Sequence, residues 1–342
     1  MKSSKSVAIG LLASLTVCMM NACRINEDLS VCFNKFRITY VVKLVTNMTT
    51  ELRNVLNQEA DEPVARALYD HLKDIFTDHA HDVNLSFFLT EADSVLKHHE
   101  EHIINTNQES FTIELPVEKY MHLSLANIKE QKAVDYVNGT LCHKAALSQH
   151  EGEQLPQCHN TGLFTARLPM DVLEDQDQEF FVNLYMANSA VALVVDSLGS
   201  HAKDMKVFLD GMADGFLIAD SAYTFNRNTL VPAPEVPVSG GHQSCYAGVC
   251  FPSRDTATRT DSADGTSSSA DGSIWSIKAY VQTADGKTTE NILYVRDPLQ
   301  AGCLKIIKVK LQPNGSFLTV DLNVGLSVTL DWKEGIIFEP EF

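Results

Sequence analysis

The chain has 342 residues, 44% of them hydrophobic, with 44 acidic against 27 basic side chains and a formal net charge of −17. That apolar content supplies packed cores and excludes a disordered stalk. The acid excess excludes a nucleic-acid binder, which needs a basic footprint. Residues 1–22 hold two lysines and no acid, so their removal would leave 320 residues with 25 basic against 44 acidic groups, or −19. That length fits two domains.

Lys2 and Lys5 open the chain, and Val7 to Met20 is almost wholly apolar or small. The stretch is too short for the roughly 30 Å hydrocarbon core of a bilayer. It has the basic start, apolar middle and small last residue of a secretory signal peptide spanning 1–22. Cleavage between Ala22 and Cys23 gives a mature chain that begins on cysteine, as bacterial lipoprotein processing requires. Cys23 is therefore the expected lipidation site, its thiol taking a diacylglycerol and its amine a further acyl chain such as palmitate. At about 0.8 kcal/mol per buried CH₂, two or three chains hold a protein stably on a membrane. Residues 23–35 then form a lipidated tether. Its Glu27 and Asp28 resemble the export signal that sends Bacteroidota lipoproteins to the outer face of the outer membrane.

Phe36 to Val45 alternates apolar with polar residues, the period of a half-buried strand. From Thr50 the period becomes helical, predicting helices over about 50–58 and 63–77, the second started by Pro63. Val83–Leu89, Phe111–Leu115 and Tyr120–Ile128 read as strands, and 91–104 as a short exposed helix. Strands with helical excursions point to an antiparallel sandwich over 36–150 rather than a βαβ series. Residues 147–162 are polar, contain Gly152, Pro156 and Gly162, and read as the linker.

Leu163–Leu168, Phe180–Ala187, Ala190–Val195 and Met205–Leu209 are the next strands, and 216–225 holds one more. Residues 252–273 contain almost no large apolar side chain and form a surface loop. A hairpin turns at Asp285–Gly286. Leu304–Leu311 passes through the strong turn signal Asn314–Gly315 into Phe317–Leu322, and Gly325–Trp332 and Ile336–Phe338 finish the chain. Short strands at regular turns predict a second sandwich over 160–342.

Besides Cys23, the exported chain would hold Cys32, Cys142, Cys158, Cys245, Cys250 and Cys303. Six cysteines in an oxidising compartment permit three disulfides in fifteen pairings. The local pairs Cys142–Cys158 and Cys245–Cys250 are the simplest choice, leaving Cys32 for Cys303.

Catalytic and metal motifs are wanting. His98 and His102 would share a helix face, but the metalloprotease pattern needs Glu directly after the first His, where His99 stands. Asp78-His79-Ala80-His81-Asp82 reads as a polar turn. His242, Cys245 and Cys250 lack the paired spacing of structural zinc. There is no Gly-x-Ser-x-Gly elbow and no phosphate-binding glycine loop, and Glu174–Asp175 lies in a polar loop. The expectation is a non-enzyme with no metal and no cofactor.

The segment Cys23-Arg-Ile-Asn-Glu-Asp-Leu-Ser-Val-Cys32, leading into a strand, resembles the mature start of the FimB-type fimbrial anchor lipoproteins of Bacteroidales, within the fimbrillin superfamily. Leu115-Pro116-Val117-Glu118-Lys119-Tyr120, Phe181-Val182-Asn183-Leu184-Tyr185-Met186, and Trp332 with Ile336 and Ile337 are similar too. The helical segment at 50–77 and the loop at 252–273 depart from that pattern. The resemblance implies a mainly β fold of two tandem transthyretin-like sandwiches with helical insertions. It also implies a lipoprotein at the base of a fimbrium, joined to stalk subunits by strand addition. The alternative is a surface lipoprotein that binds glycan or host protein through a sandwich face. That reading predicts clustered Trp and Tyr on one sheet, and the chain has only Trp275 and Trp332.

Overall fold

The computed structural model describes residues 35–45, 52–54, 56–57, 60–76, 80–91, 94–104, 110–150, 157–174, 177–197, 202–240, 242–255, 272–319, 321 and 323–331. The first part runs β1 (Lys35–Val45), helix α1 (Glu62–Leu72), β2 (Asp82–Leu89), β3 (Leu96–Ile103), β4 (Ser110–Pro116) and β5 (Lys119–Ala126). It continues with β6 (Val134–Val137), β7 (Ala146–Gln149), β8 (Phe164–Asp171) and β9 (Gln178–Met186). The second part runs β10 (Ser189–Asp196), β11 (Ala202–Met212), β12 (Gly215–Leu217), β13 (Ala222–Thr224), β14 (Thr229–Ala233) and β15 (Glu235–Val236). It ends with β16 (Gln243–Cys250), β17 (Trp275–Thr283), β18 (Thr288–Val295), β19 (Leu304–Leu311), β20 (Phe317–Thr319) and β21 (Val324–Thr329). The chain is mainly β, as its alternating pattern predicts.

Seven strands form the first sheet in the order β3-β2-β5-β8-β9-β1-β4. β8 and β9, which follow the polar stretch at 147–162, hydrogen-bond into this sheet. They share only two pairs, Phe164–Met186 and Thr165–Tyr185, before their ladder stops. The sheet folds over at that corner and carries β1 across the core from β2 and β5. The Tyr40 ring stands edge-on to His122 at 5.0 Å and to Phe87 at 6.5 Å. At the far end, His102 of β3 lies 4.3 Å from Phe111 of β4, ring centre to ring centre. α1 begins after Asp61 with Pro63 in its first turn, and its buried Val64, Ala65, Leu68 and Leu72 form one stripe on this core.

The helix expected at 91–104 is instead the strand β3, paired antiparallel to β2. His98, Glu100 and His102 therefore line one face at a period of two. Glu100 accepts from His98 Nε2 at 2.6 Å and from His102 Nε2 at 2.8 Å. β3 is the last strand of its sheet and is half-exposed, so its charged side chains hid the period that a buried strand displays.

Between Met186 and Ser189 the chain enters a second pair of sheets, β15-β16-β10-β19-β20 and β14-β11-β17-β18-β21. The two parts repeat one pattern. β1 lies between antiparallel β4 and parallel β9, and β10 lies between antiparallel β16 and parallel β19. β10 is buried on both faces: Ala190, Ala192 and Val194 pack into the first core, and Val191, Leu193 and Val195 into the second. β16 divides the same way. The two β units are thus joined through a shared apolar layer.

The described part of 147–162 is not a solvated linker. Gln149 and His159 are buried, with His159 Nε2–H donating to Gln149 Oε1 at 2.9 Å. Asn188 Nδ2 donates to Thr161 O at 2.9 Å, and Asn127 Nδ2 to Gly162 O at 2.9 Å. The polar composition that suggested a linker instead serves mutual hydrogen bonding inside the protein. β6, β7, β12 and β13 make a small fourth sheet beside this segment.

A candidate subunit-docking corner

β19 alternates Ile307, Val309 and Leu311, which face the second core, with Lys308 and Lys310, which face solvent. At its end the chain turns through Asn314–Gly315, where Gly315 takes φ +80°, a region that glycine occupies without strain. The turn is clamped to the facing sheet. Thr289 Oγ1 donates to Asn314 O at 2.8 Å, and the buried Asn291 donates to Gly315 O at 2.9 Å while accepting Phe317 N–H at 2.8 Å. Phe317 fills the second core.

β20 pairs with β19 at Val309–Leu311 among the described residues, and the next strand, β21, belongs to the other sheet. Among the described residues, the outer edge of β19 from Leu304 to Lys308 has no strand partner. Leu318 on β20 is 50% exposed and Leu330 beyond β21 is 57% exposed, with Val328 also turned to solvent. Between the turns at 283–287 and 312–316 and the end of β21 lies a cleft of about 400 Å³. An unpaired edge beside bare apolar side chains can take up an extended chain, the backbone giving affinity and the side chains selectivity. The outward lysines oppose indiscriminate pairing.

A second exposed apolar feature lies on β9, where Phe181 and Tyr185 share the outer face at 67% and 59% exposure. By contrast Trp275 is buried, its Nε1–H donating to Asp297 O at 2.8 Å, and offers no platform to a sugar. Trp332 and the expected strand Ile336–Phe338 lie outside the described residues.

Cys23, Glu27, Asp28 and Cys32 also lie outside the described residues. No two of the five described cysteines are bonded in this structure. Cys245 and Cys250 stand on opposite faces of β16, Cys245 in the first core and Cys250 in the second. An odd spacing along a strand puts them there, so the expected Cys245–Cys250 bridge has the wrong geometry. Cys142 belongs to a third apolar cluster, against β5 and β7, whereas Cys158 packs on the second core, so these two are not neighbours either. Cys303 is exposed. No group of His, Cys, Asp or Glu among the described residues is arranged to hold a metal ion.

Two of the described histidines are fully enclosed. His122 Nδ1–H donates to Ser86 O at 3.0 Å, and its Nε2 faces the hydroxyls of Tyr40 and Ser124. Burial pushes the His122 and His159 rings down to about 3, so both are neutral. With Tyr40, whose hydroxyl lies 2.6 Å from Ser124 Oγ, His122 forms a polar centre in the first core that no solvent reaches. It holds structure, and sequence alone gave no sign of it.

The profile of the fimbrillin-A associated anchor proteins Mfa1 and Mfa2 matches residues 62–249, more than half of the chain. Among solved structures, a candidate adhesin from Bacteroides ovatus is 11% identical with a TM-score of 0.52, covering 91% of this chain and 98% of its own. A candidate polysaccharide-binding protein from Bacteroides thetaiotaomicron is 11% identical with a TM-score of 0.51, covering 87% and 99%. The fimbrial anchor protein Mfa2 from Porphyromonas gingivalis is 10% identical with a TM-score of 0.48, covering 87% and 99%. At these identities the first two likenesses establish a shared fold. None of the curated proteins compared by sequence matches the chain. The profile match, set on this fold, places the chain in the fimbrillin-A associated anchor family.

Proposed function

We propose that this protein anchors or caps a fimbrium at the cell surface, held to the outer membrane by lipid on Cys23. In this reading Glu27 and Asp28 direct it outward, and an extended segment of a stalk subunit adds to the free edge of β19. The work is binding, with no catalysis and no cofactor. Family membership supports the fimbrial setting. The observation that carries the docking mode is the edge at Leu304–Lys308, which has no strand partner among the described residues, together with exposed Leu318 on β20.

The test compares fimbriae sheared from wild-type cells, a deletion strain, and strains with Cys23→Ala or Ile306→Pro. Proline on the free edge blocks an incoming strand, and Cys23→Ala removes the lipid. Loss of the protein or its lipid should release or lengthen fimbriae, and the edge variant should fail to co-purify with them. Unchanged fimbriae that never carry this chain would end the proposal.

A second reading, adhesion through the outer face of β9, draws on Phe181 and Tyr185. A glycan array with the lipid-free protein and its Phe181→Ser, Tyr185→Ser variant tests it. No binding by the wild type rules it out.

A further inference from the structure

Of the described cysteines, Cys158 and Cys250 alone share one apolar environment. Cys250 lies within the second core, and Cys158 packs against that core from the segment that precedes β8. The backbone joins them closely. β15 covers the edge of β16 only at Tyr246 and Cys245, and beyond it the segment 158–159 takes over that edge. His159 N–H donates to Val249 O at 2.9 Å, and the Val249 amide lies against the Cys158 sulfur. Residues 158 and 250 thus flank a hydrogen-bonded contact, the relation in which cross-strand disulfides form. The Cys158 thiol currently donates to Pro232 O at 2.6 Å, a bond that a change of rotamer would release.

We propose that Cys158 and Cys250 form a disulfide when the protein folds in an oxidising compartment, tying the segment 157–162 to strand β16. The reaction is thiol–disulfide exchange with a disulfide oxidant. The two cysteines lose two protons and two electrons as the sulfur–sulfur bond forms, and the oxidant's disulfide breaks to two thiols. Burial raises both thiols, Cys158 to about 11, and the Cys158 sulfur adds to the rise at Cys250. Thiols held in this way are poor nucleophiles. The exchange therefore belongs to folding, before the core closes.

The experiment refolds the full mature chain with glutathione disulfide, and separately isolates the protein from its native cell envelope. Each sample is alkylated in denaturant without reductant and digested with trypsin. The expected product links peptide 145–167, which holds only Cys158, to peptide 228–254, which holds Cys245 and Cys250. A Cys245→Ala variant should keep that linkage, and Cys250→Ala should lose it. Reduction should lower the unfolding temperature of the wild type, on the order of 10 °C, and leave Cys158→Ser unmoved. Alkylated, unlinked Cys158 and Cys250 in both samples, or a link from Cys158 to another cysteine, would overturn the proposal.

Discussion

Two enclosed neutral histidines should make this protein sensitive to acid far above the carboxylate range. His122 and His159 are 0% and 1% exposed, and burial holds both at about 3 against an ordinary value near 6.5. The folded value is the lower one, so the unfolded chain binds the proton more readily. Their contribution is complete above the unfolded value and is lost as pH falls from about 6.5 toward 3. Integrating from pH 7 to pH 5, each ring gives up about 2 kcal/mol and the pair about 4 kcal/mol, a large part of the 5–15 kcal/mol typical of a folded protein. The assay is urea unfolding at both pH values for wild type, His122→Asn and His159→Gln. Each variant will have its own cost at pH 7, and the informative quantity is its pH dependence. Each should lose about 2 kcal/mol of the wild-type difference between pH 7 and pH 5. If both keep the full difference, the reasoning from burial to neutral rings is wrong.

Other outcomes follow from single contacts. A Cβ at Gly162 would sit 2.0 Å from the carbonyl oxygen of Ile75, so Gly162→Ala must displace the end of the α1 region. We expect at least about 3 kcal/mol of destabilisation by urea titration, and a change under about 1 kcal/mol would contradict the close approach. Tyr40→Phe removes the hydroxyl bound to Ser124 and His122 in a dry core and should cost about 1–3 kcal/mol. Gly315→Ala adds a methyl 2.9 Å from Thr289 Oγ1 at a positive φ. It should loosen the turn below β20 and raise amide exchange at Phe317, whereas unchanged exchange would argue that the clamp from Asn291 dominates. Leu68→Ala in α1 should cost about 2–5 kcal/mol in the same titration, because its side chain is fully buried.

Much of the fold was legible because strands such as β4, β18 and β19 bury one face and turn the other outward. β1, β4, β5, β18 and β19 announce themselves by alternation, and Asp285–Gly286 and Asn314–Gly315 by turn chemistry. What escaped has physical reasons. β3 is a polar edge, and its His98, Glu100 and His102 satisfy one another rather than a core. β16 carries small and polar residues on both faces because it lies between two cores, and no strand was anticipated there. The local pairing of Cys245 with Cys250 failed for that reason, since only a strand turns odd spacing into opposite faces. The docking corner depends on how β20 is seated, and tertiary packing of Phe317 and Asn291 sets where it starts. The polar run at 157–162 resembles any solvated connection until His159, Thr161 and Asn188 are seen to close on one another.

The parallel pairing of β1 with β9, and of β10 with β19, has a mechanical meaning. β1 opens the first β unit and β9 closes it, and the two are joined by eight consecutive residue pairs from Ile38–Gln178 to Val45–Tyr185. A pull that enters at the start of β1 and leaves at the end of β9 acts along the strands in opposite senses. The ladder is then loaded in shear, and its hydrogen bonds must yield together instead of unzipping one at a time. β10 and β19 repeat the parallel pairing over seven pairs, with β20 and β21 still to follow. Survival under tension is set by how fast a fold opens, and in the first unit the strands that open and close it form the pair that slows opening under such a pull.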